Sequence, residues 1–347
     1  MNAGWRAFVT NDFCLAALSL FYVLACRSVV AQASSEIFDD QRSLLLWPFF
    51  IPPIAIGLLL ALCFHTLVIE RPAHPTRTII SRFAALRLPG HLVPGALGFF
   101  FIAPIIFYFG QMKSLMDYLA FCRWDETFRQ IDLWLGAGNY PHTYFSWLVE
   151  TRLRYEVLSA AYHPIWVSCC LALLAYALFV SPPGERRSIF LLSFASAWIL
   201  IGTVVALALN SGGPVFFELY TGTNEYAALV EHLAELTNPN GLGSFLLAEK
   251  LAAFKKAGIA PPGFGISAMP SMHVSIACLT LLRAWHAGVW ARTLASCYLL
   301  AIFVGSIVLG WHYAADGLVA IALTLFLWRI ATSVVRMQRR ILEPRLT

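Results

Sequence analysis

What most constrains this chain is a series of apolar runs, each close to the roughly 20 residues a helix needs to cross a bilayer. Eight are read, over 13–33, 44–68, 92–112, 157–180, 188–210, 271–287, 293–311 and 313–335. A backbone inside lipid must pair its own N–H and C=O groups, so runs of this kind are helices. The expectation is an all-α fold: a polytopic transmembrane bundle of about eight spans. Composition agrees, because 59% of the 347 residues are hydrophobic and only 12% are charged, about half the charged share of a soluble domain. The formal charge of +5 is modest and not clustered, which excludes a nucleic-acid binder. The eight cysteines show neither a C-x-x-C pair nor zinc-ligand spacing; they read as small packing residues, and neither metal nor cofactor is expected.

Basic residues set the expected orientation. With the N-terminus in the cytoplasm, thirteen Lys and Arg residues fall on the inner side, in short segments such as Arg71 to Arg87 and Arg336 to Arg345. Nine, including Lys113, Arg123, Arg129 and Lys255, fall on the outer side in longer loops that also carry acids. The positive-inside rule then puts both termini in the cytoplasm. Arg6, the first apolar run and Ala31-Gln32-Ala33 resemble a signal peptide, and Val23-Leu24-Ala25-Cys26 a lipoprotein box, but a first membrane helix is the simpler reading. The expected organisation is N-terminal membrane helices over 1–112, an outer interfacial segment over 113–156, core helices over 157–335 that include a long outer loop at 211–268, and a basic tail over 336–347. Within the outer segments, Trp124, Phe128, Ile131 and Leu135 recur at helical spacing, with Asp125 and Arg129 as an i,i+4 pair.

Two motifs at outer helix ends carry chemistry. In Gly310-Trp311-His312-Tyr313-Ala314-Ala315-Asp316, the histidine and aspartate are four apart and share a helix face. An aspartate there can hold the imidazole tautomer and stabilise the charge formed when the other ring nitrogen attacks an electrophile. The plain alternative is an interfacial histidine paired only for burial. In Met269-Pro270-Ser271-Met272-His273, the proline is expected in the first turn of the sixth span, whose free amides favour an anion. Ser271 adds a hydroxyl donor, and His273 is placed to protonate a leaving oxygen. Here the plain alternative is a capped helix with an incidental histidine. Asn210-Ser211-Gly212-Gly213-Pro214 is either a helix terminator or a backbone nest for an anion. His163, before Pro164, either lines the pocket or anchors the interface.

Pro270-Ser271-Met272-His273, followed by Gly305-Ser306, then His312 and Asp316, resembles the type-2 phosphatidic acid phosphatase superfamily, whose second motif is P-S-G-H and third S-R-x5-H-x3-D. The last 140 or so residues carry the likeness. It is closest to inositol phosphorylceramide synthases and their bacterial relatives, helped by Trp124-Asp125-Glu126 through Asp132; the H-Y-x-x-D form is also similar to sphingomyelin synthases. The resemblance implies a six-helix core, a phosphohistidine at His312 oriented by Asp316, acid–base work by His273, and phosphate contacts from Ser271, Pro270, Met272 and Ser306. It also implies membrane lipids as partners, a phospholipid donor and a lipid hydroxyl acceptor; with the charge-based orientation, the expected location is a bacterial inner membrane with the site facing the periplasm.

The departures bear on substrate. Met272 stands where glycine is usual, Ser306 where arginine is usual, and the first motif K-x6-R-P is absent. With those cations gone, a singly charged phosphodiester suits the site better than a phosphomonoester, which favours head-group transfer over simple phosphatase action. Arg123, Arg129 and Lys255 are the expected alternative sources of charge. A lipid transporter or a catalytically dead scaffold are the readings from other classes; the absence of repeated halves argues against the first.

Overall fold

The computed structural model describes residues 3–37, 63, 65–85, 89–120, 123–239, 241, 243–259 and 261–346. The expected span at 44–68 therefore lies largely outside the described residues. Among these the chain is all-helical and no strand occurs. We number the main helices α1 (Ala3–Ile37), α2 (Pro75–Ala85), α3 (Pro89–Leu119), α4 (Asp125–Leu135), α5 (Arg152–Val180), α6 (Glu185–Ala208), α7 (Phe217–Thr221), α8 (Ala227–Leu236), α9 (Ser244–Lys256), α10 (Met272–Ala284), α11 (Val289–Val308) and α12 (Ala314–Leu346). Six contain stretches long and apolar enough to cross a membrane: Phe8–Gln32, Val93–Leu119, Arg152–Val180, Glu185–Ala208, Val289–Val308 and Ala314–Glu343. The shorter apolar α10 corresponds to the expected span 271–287. The protein is thus a polytopic helical bundle of integral-membrane character.

Burial ranks the helices. In α6, 78% of the apolar window is buried, against 28–39% in the other five, so α6 is the central post. The others turn large apolar side chains outward, among them Phe21, Phe100, Leu300 and Phe326. In lipid such exposure is the favourable state, since nothing is gained by hiding a leucine from hydrocarbon.

At the end of the bundle remote from the histidine motifs, the fully buried Arg187 guanidinium holds four segments together. Its Nη1 bonds Asp12 Oδ2 at 2.5 Å, its Nε the Ala177 carbonyl at 2.9 Å and its Nη2 the Pro94 carbonyl at 2.9 Å. Ser188 donates to the other Asp12 oxygen. Arg187 is one of the thirteen basic residues expected on the inner side, yet it is buried as an internal clamp, while its neighbour Arg186 is exposed. A buried pair persists only when each remaining polar atom is also satisfied, and the two backbone carbonyls do this.

The opposite end carries a roof. Here α4 and α7 to α9 lie over the bundle, linked by a strap, 261–271, that leads into α10. The strap is stitched on both sides. On one side, Gly263 N bonds the Gly110 carbonyl, Ser114 Oγ donates to the Pro261 carbonyl, and Lys113 Nζ donates to the Ser267 carbonyl. On the other, Ala268 N bonds the Ser211 carbonyl and Met269 N the Ser211 hydroxyl. Gly265 is required where the strap crosses α3, because a side chain there would run into the Lys113 carbonyl.

Candidate functional site

The turn between α11 and α12 is built to present a histidine. Its backbone doubles back at Gly310, whose φ of +72° is a left-handed conformation that favours glycine. The Ser306 carbonyl accepts both the Trp311 and the His312 amides at 3.1 Å. The amides of Ala314 and Ala315 open α12 and would be orphans. They are taken by Asp132 of α4, at 2.9 and 3.1 Å. Asp132 is buried, and that burial pushes its carboxyl up to about 7 against the pull of the two amides.

Within this turn His312 Nδ1 lies 3.1 Å from Asp316 Oδ2, which also accepts the Tyr313 amide at 3.0 Å. Attack by the other ring nitrogen, Nε2, requires the proton shared in this bond to sit on Nδ1. Burial, reinforced by the Lys113 ammonium, holds the His312 imidazole neutral, lowered to about 3. The ring's remaining polar neighbour is the Ala268 carbonyl of the strap.

The two motifs meet through the backbone. Ser271 donates its amide to the Asp316 carbonyl at 3.3 Å. It also caps α10, accepting from Val274 N at 3.4 Å. His273 follows in the first turn, with its ring 6.3 Å from that of His312. An aromatic clasp fixes it: Tyr162 stacks on it at 4.3 Å and 16°, and Trp166 lies at 4.1 Å. His163 joins the group, 5.8 Å from His273 edge to face. Its Nε2 is 3.0 Å from the Ser244 hydroxyl, which also accepts from Trp311 Nε1. Three histidines and one aspartate thus converge under the roof at one end of the bundle. Among the described residues no group of His, Cys, Asp or Glu side chains has the geometry of a metal site.

A family model described as the PAP2 superfamily matches residues 126–330. The chain belongs to the PAP2 superfamily. No curated protein and no solved structure matches it. The matched segment begins in α4 and ends in α12, so it takes in both histidine motifs and leaves α1 to α3 outside. A PAP2-type membrane enzyme of the phosphatase and phosphotransferase kind is the level of function this supports.

Several expectations about the PAP2 site need correction. Pro270 is not in the first turn of α10; it precedes the cap residue Ser271. Met272 does not face the histidines: its sulfur packs over Gly202 of α6, where an added Cβ would sit 3.2 Å away. The missing glycine at 272 is thus offset by a glycine on the facing helix. The Ser306 hydroxyl returns to the Phe303 carbonyl, leaving the residue to shape the turn through its backbone. Gly212 and Gly213 do form a nest, but its anion is the protein's own: both amides donate to Asp125 Oδ1, at 2.7 and 3.2 Å, and Tyr313 Oη joins them at 3.1 Å. Arg129 pairs with Glu126 at 2.6 Å, not with Asp125. Arg123 spans Asp117 and Asp125, and Lys255 is held by Asp117. All three expected cations are therefore already neutralised by carboxylates. The sequence reading missed Asp125 and Asp132 as supports and Lys113 as an ammonium acting on both histidines; the only signal for Lys113 was a charge closing an apolar run.

Proposed function

We propose that this protein is an integral membrane lipid phosphotransferase, moving a phospho-head group from a phosphodiester lipid to a lipid hydroxyl through a phosphohistidine at His312. The observation carrying the reading is the buried His312–Asp316 pair with the His273 ring 6.3 Å from it, a separation that accommodates a phosphoryl group between the two rings. In the first step His312 Nε2 attacks phosphorus, the bond from phosphorus to the leaving lipid oxygen breaks, and that oxygen takes a proton from His273. Asp316 stabilises the positive charge that develops on the His312 ring. In the second step His273 recovers a proton from the acceptor hydroxyl as its oxygen attacks phosphorus and the N–P bond breaks. His163 and Ser271 stand beside the reacting group as substrate contacts.

The preference for a phosphodiester rests on charge. A phosphomonoester dianion calls for at least two uncommitted cations, and Arg123, Arg129 and Lys255 are each held by a carboxylate. Such a substrate fits the inositol phosphorylceramide synthase-like branch, and the positive-inside rule favours a site on the non-cytoplasmic face, the periplasmic one in a bacterial inner membrane. The same histidines would hydrolyse a lipid phosphate if water replaced the acceptor.

The test is turnover by the purified full chain in detergent, given phospholipids and lipid phosphates with and without ceramide or diacylglycerol. A new head-group-bearing lipid that disappears in His312→Ala and His273→Ala supports the transferase. Free phosphate alone makes the protein a phosphatase. No turnover by a folded sample returns the reading to a transporter or scaffold.

A further inference from the structure

We propose that Lys113 is the cation of the phosphate subsite, with the Asn210 carboxamide as a second donor. This rests on the phosphotransfer reading above and assigns the charge that the motifs lack. Lys113 lies in the final turns of α3, before residue 126, so nothing in the family match points to it.

Four observations converge. The half-buried Lys113 ammonium spends one N–H on the Ser267 carbonyl at 3.0 Å, which leaves two for a ligand. No carboxylate pairs with it among the described residues. The nearest acid along its own helix, Asp117, is committed to Arg123 at 2.9 Å, Lys255 at 3.2 Å and the Tyr220 hydroxyl at 3.0 Å. Its charge is felt at both the His273 and His312 rings, so it stands within electrostatic reach of the space between them. Finally, Asn210 is fully buried, yet neither its Oδ1 nor its Nδ2 has a partner. A buried amide left unpaired is unfavourable, and a ligand oxygen would accept from its Nδ2.

Lys113 and Asn210 approach the same strap from opposite sides. Lys113 binds it at Ser267, and Ser211, next to Asn210, binds it at Ala268 and Met269. The strap in turn lays the Ala268 carbonyl against His312. One uncommitted ammonium matches one phosphodiester charge, and a positioned cation acts strongest where water is excluded and charge is transferred.

The experiment measures binding of inorganic phosphate, at a pH below its second pKa where it is singly charged, to the full chain in detergent by calorimetry, beside lipid turnover, for wild type, Lys113→Gln and Lys113→Arg. Glutamine keeps a donor for the Ser267 carbonyl and removes the charge; arginine keeps the charge. The expected result is phosphate affinity about ten- to a hundredfold weaker in Lys113→Gln and about threefold or less weaker in Lys113→Arg, the span of one charge-assisted contact. Phosphate affinity unchanged in Lys113→Gln, or no phosphate binding by wild type at millimolar concentration, overturns the assignment. If Lys113→Gln does not fold, Lys113→Met decides by the same reading: phosphate affinity at least about tenfold weaker in folded protein supports the assignment, and unchanged affinity overturns it. Phosphate binding that depends on Lys113 without turnover of any lipid leaves the subsite standing and fails the transferase. Turnover indifferent to Lys113→Gln fails the subsite alone.

Discussion

Asp132→Ala should be among the most damaging single changes outside the histidines. The buried carboxylate closes the N-terminus of α12 with two hydrogen bonds, to Ala314 N at 2.9 Å and Ala315 N at 3.1 Å. Truncation leaves two buried amides without partners, and each is unfavourable by about 1–3 kcal/mol, so the loss is about 2–6 kcal/mol, less whatever entering water recovers. Asp132→Asn keeps one acceptor oxygen and loses about half as much. Glu126, nearly two turns earlier on the same helix, is the internal control. Its ion pair with Arg129 lies at the surface, with the Glu126 side chain 52% exposed, so Glu126→Ala should change stability by less than about 1 kcal/mol. The assay is SDS titration of the protein in mixed micelles, following helicity and tryptophan fluorescence, with turnover measured on the same samples. The order expected is wild type above Asn above Ala, and activity should fall with stability because these amides flank His312. Asp132→Ala within about 0.5 kcal/mol of wild type would refute the argument that α4 secures the catalytic turn.

Other expectations follow from the same geometry. Asp316→Asn replaces an acceptor of the His312 Nδ1 proton with a group that can turn its donor inward, so kcat should drop by about a thousandfold or more with KM little changed, as steady-state kinetics will read. His312 is held down to about 3 from its ordinary 6.5. The unfolded chain therefore binds more protons between those values, stability should rise with pH across that window, and the folded ring should stay neutral above about pH 4; 15N spectra of histidine-labelled protein showing His312 titrating near 6.5 would contradict this. Gly265→Ala would drive a methyl into the Lys113 carbonyl, so the strap must shift, and the expected outcome is turnover reduced by at least about tenfold with a melting temperature lowered by a few degrees.

How much of this was legible in the sequence differs by residue. Seven of the eight apolar runs correspond to described helices, because a span declares itself by length and hydropathy without reference to its neighbours. The His312–Asp316 pairing was equally local, four residues on one helical turn. The amphipathic α4 was legible as a helix but not in its facing. Its buried side is Asp125, Phe128 and Asp132, while Ile131, Trp134 and Leu135 are exposed. At a lipid interface the apolar stripe can point away from the protein, so periodicity alone cannot say which face is the inner one. Partners distant in sequence were not legible at all. Nothing local pairs Asp125 with Gly212, Met272 with Gly202, or Arg187 with Asp12. The nest at Gly212 and Gly213 shows the consequence: the backbone geometry was readable, its occupant was not.

The central claim is that His312 becomes covalently phosphorylated during turnover, and rapid quenching tests it most directly. Wild-type protein and His273→Ala would be mixed with the lipid substrate identified in the turnover panel, quenched in alkali to preserve a phosphoramidate, digested and analysed by mass spectrometry. The account predicts a phospho-adduct on His312 that forms and decays at rates consistent with turnover in wild type, and none in His312→Ala. Full turnover with no adduct on His312, or an adduct on another residue that survives in His312→Ala, would contradict it.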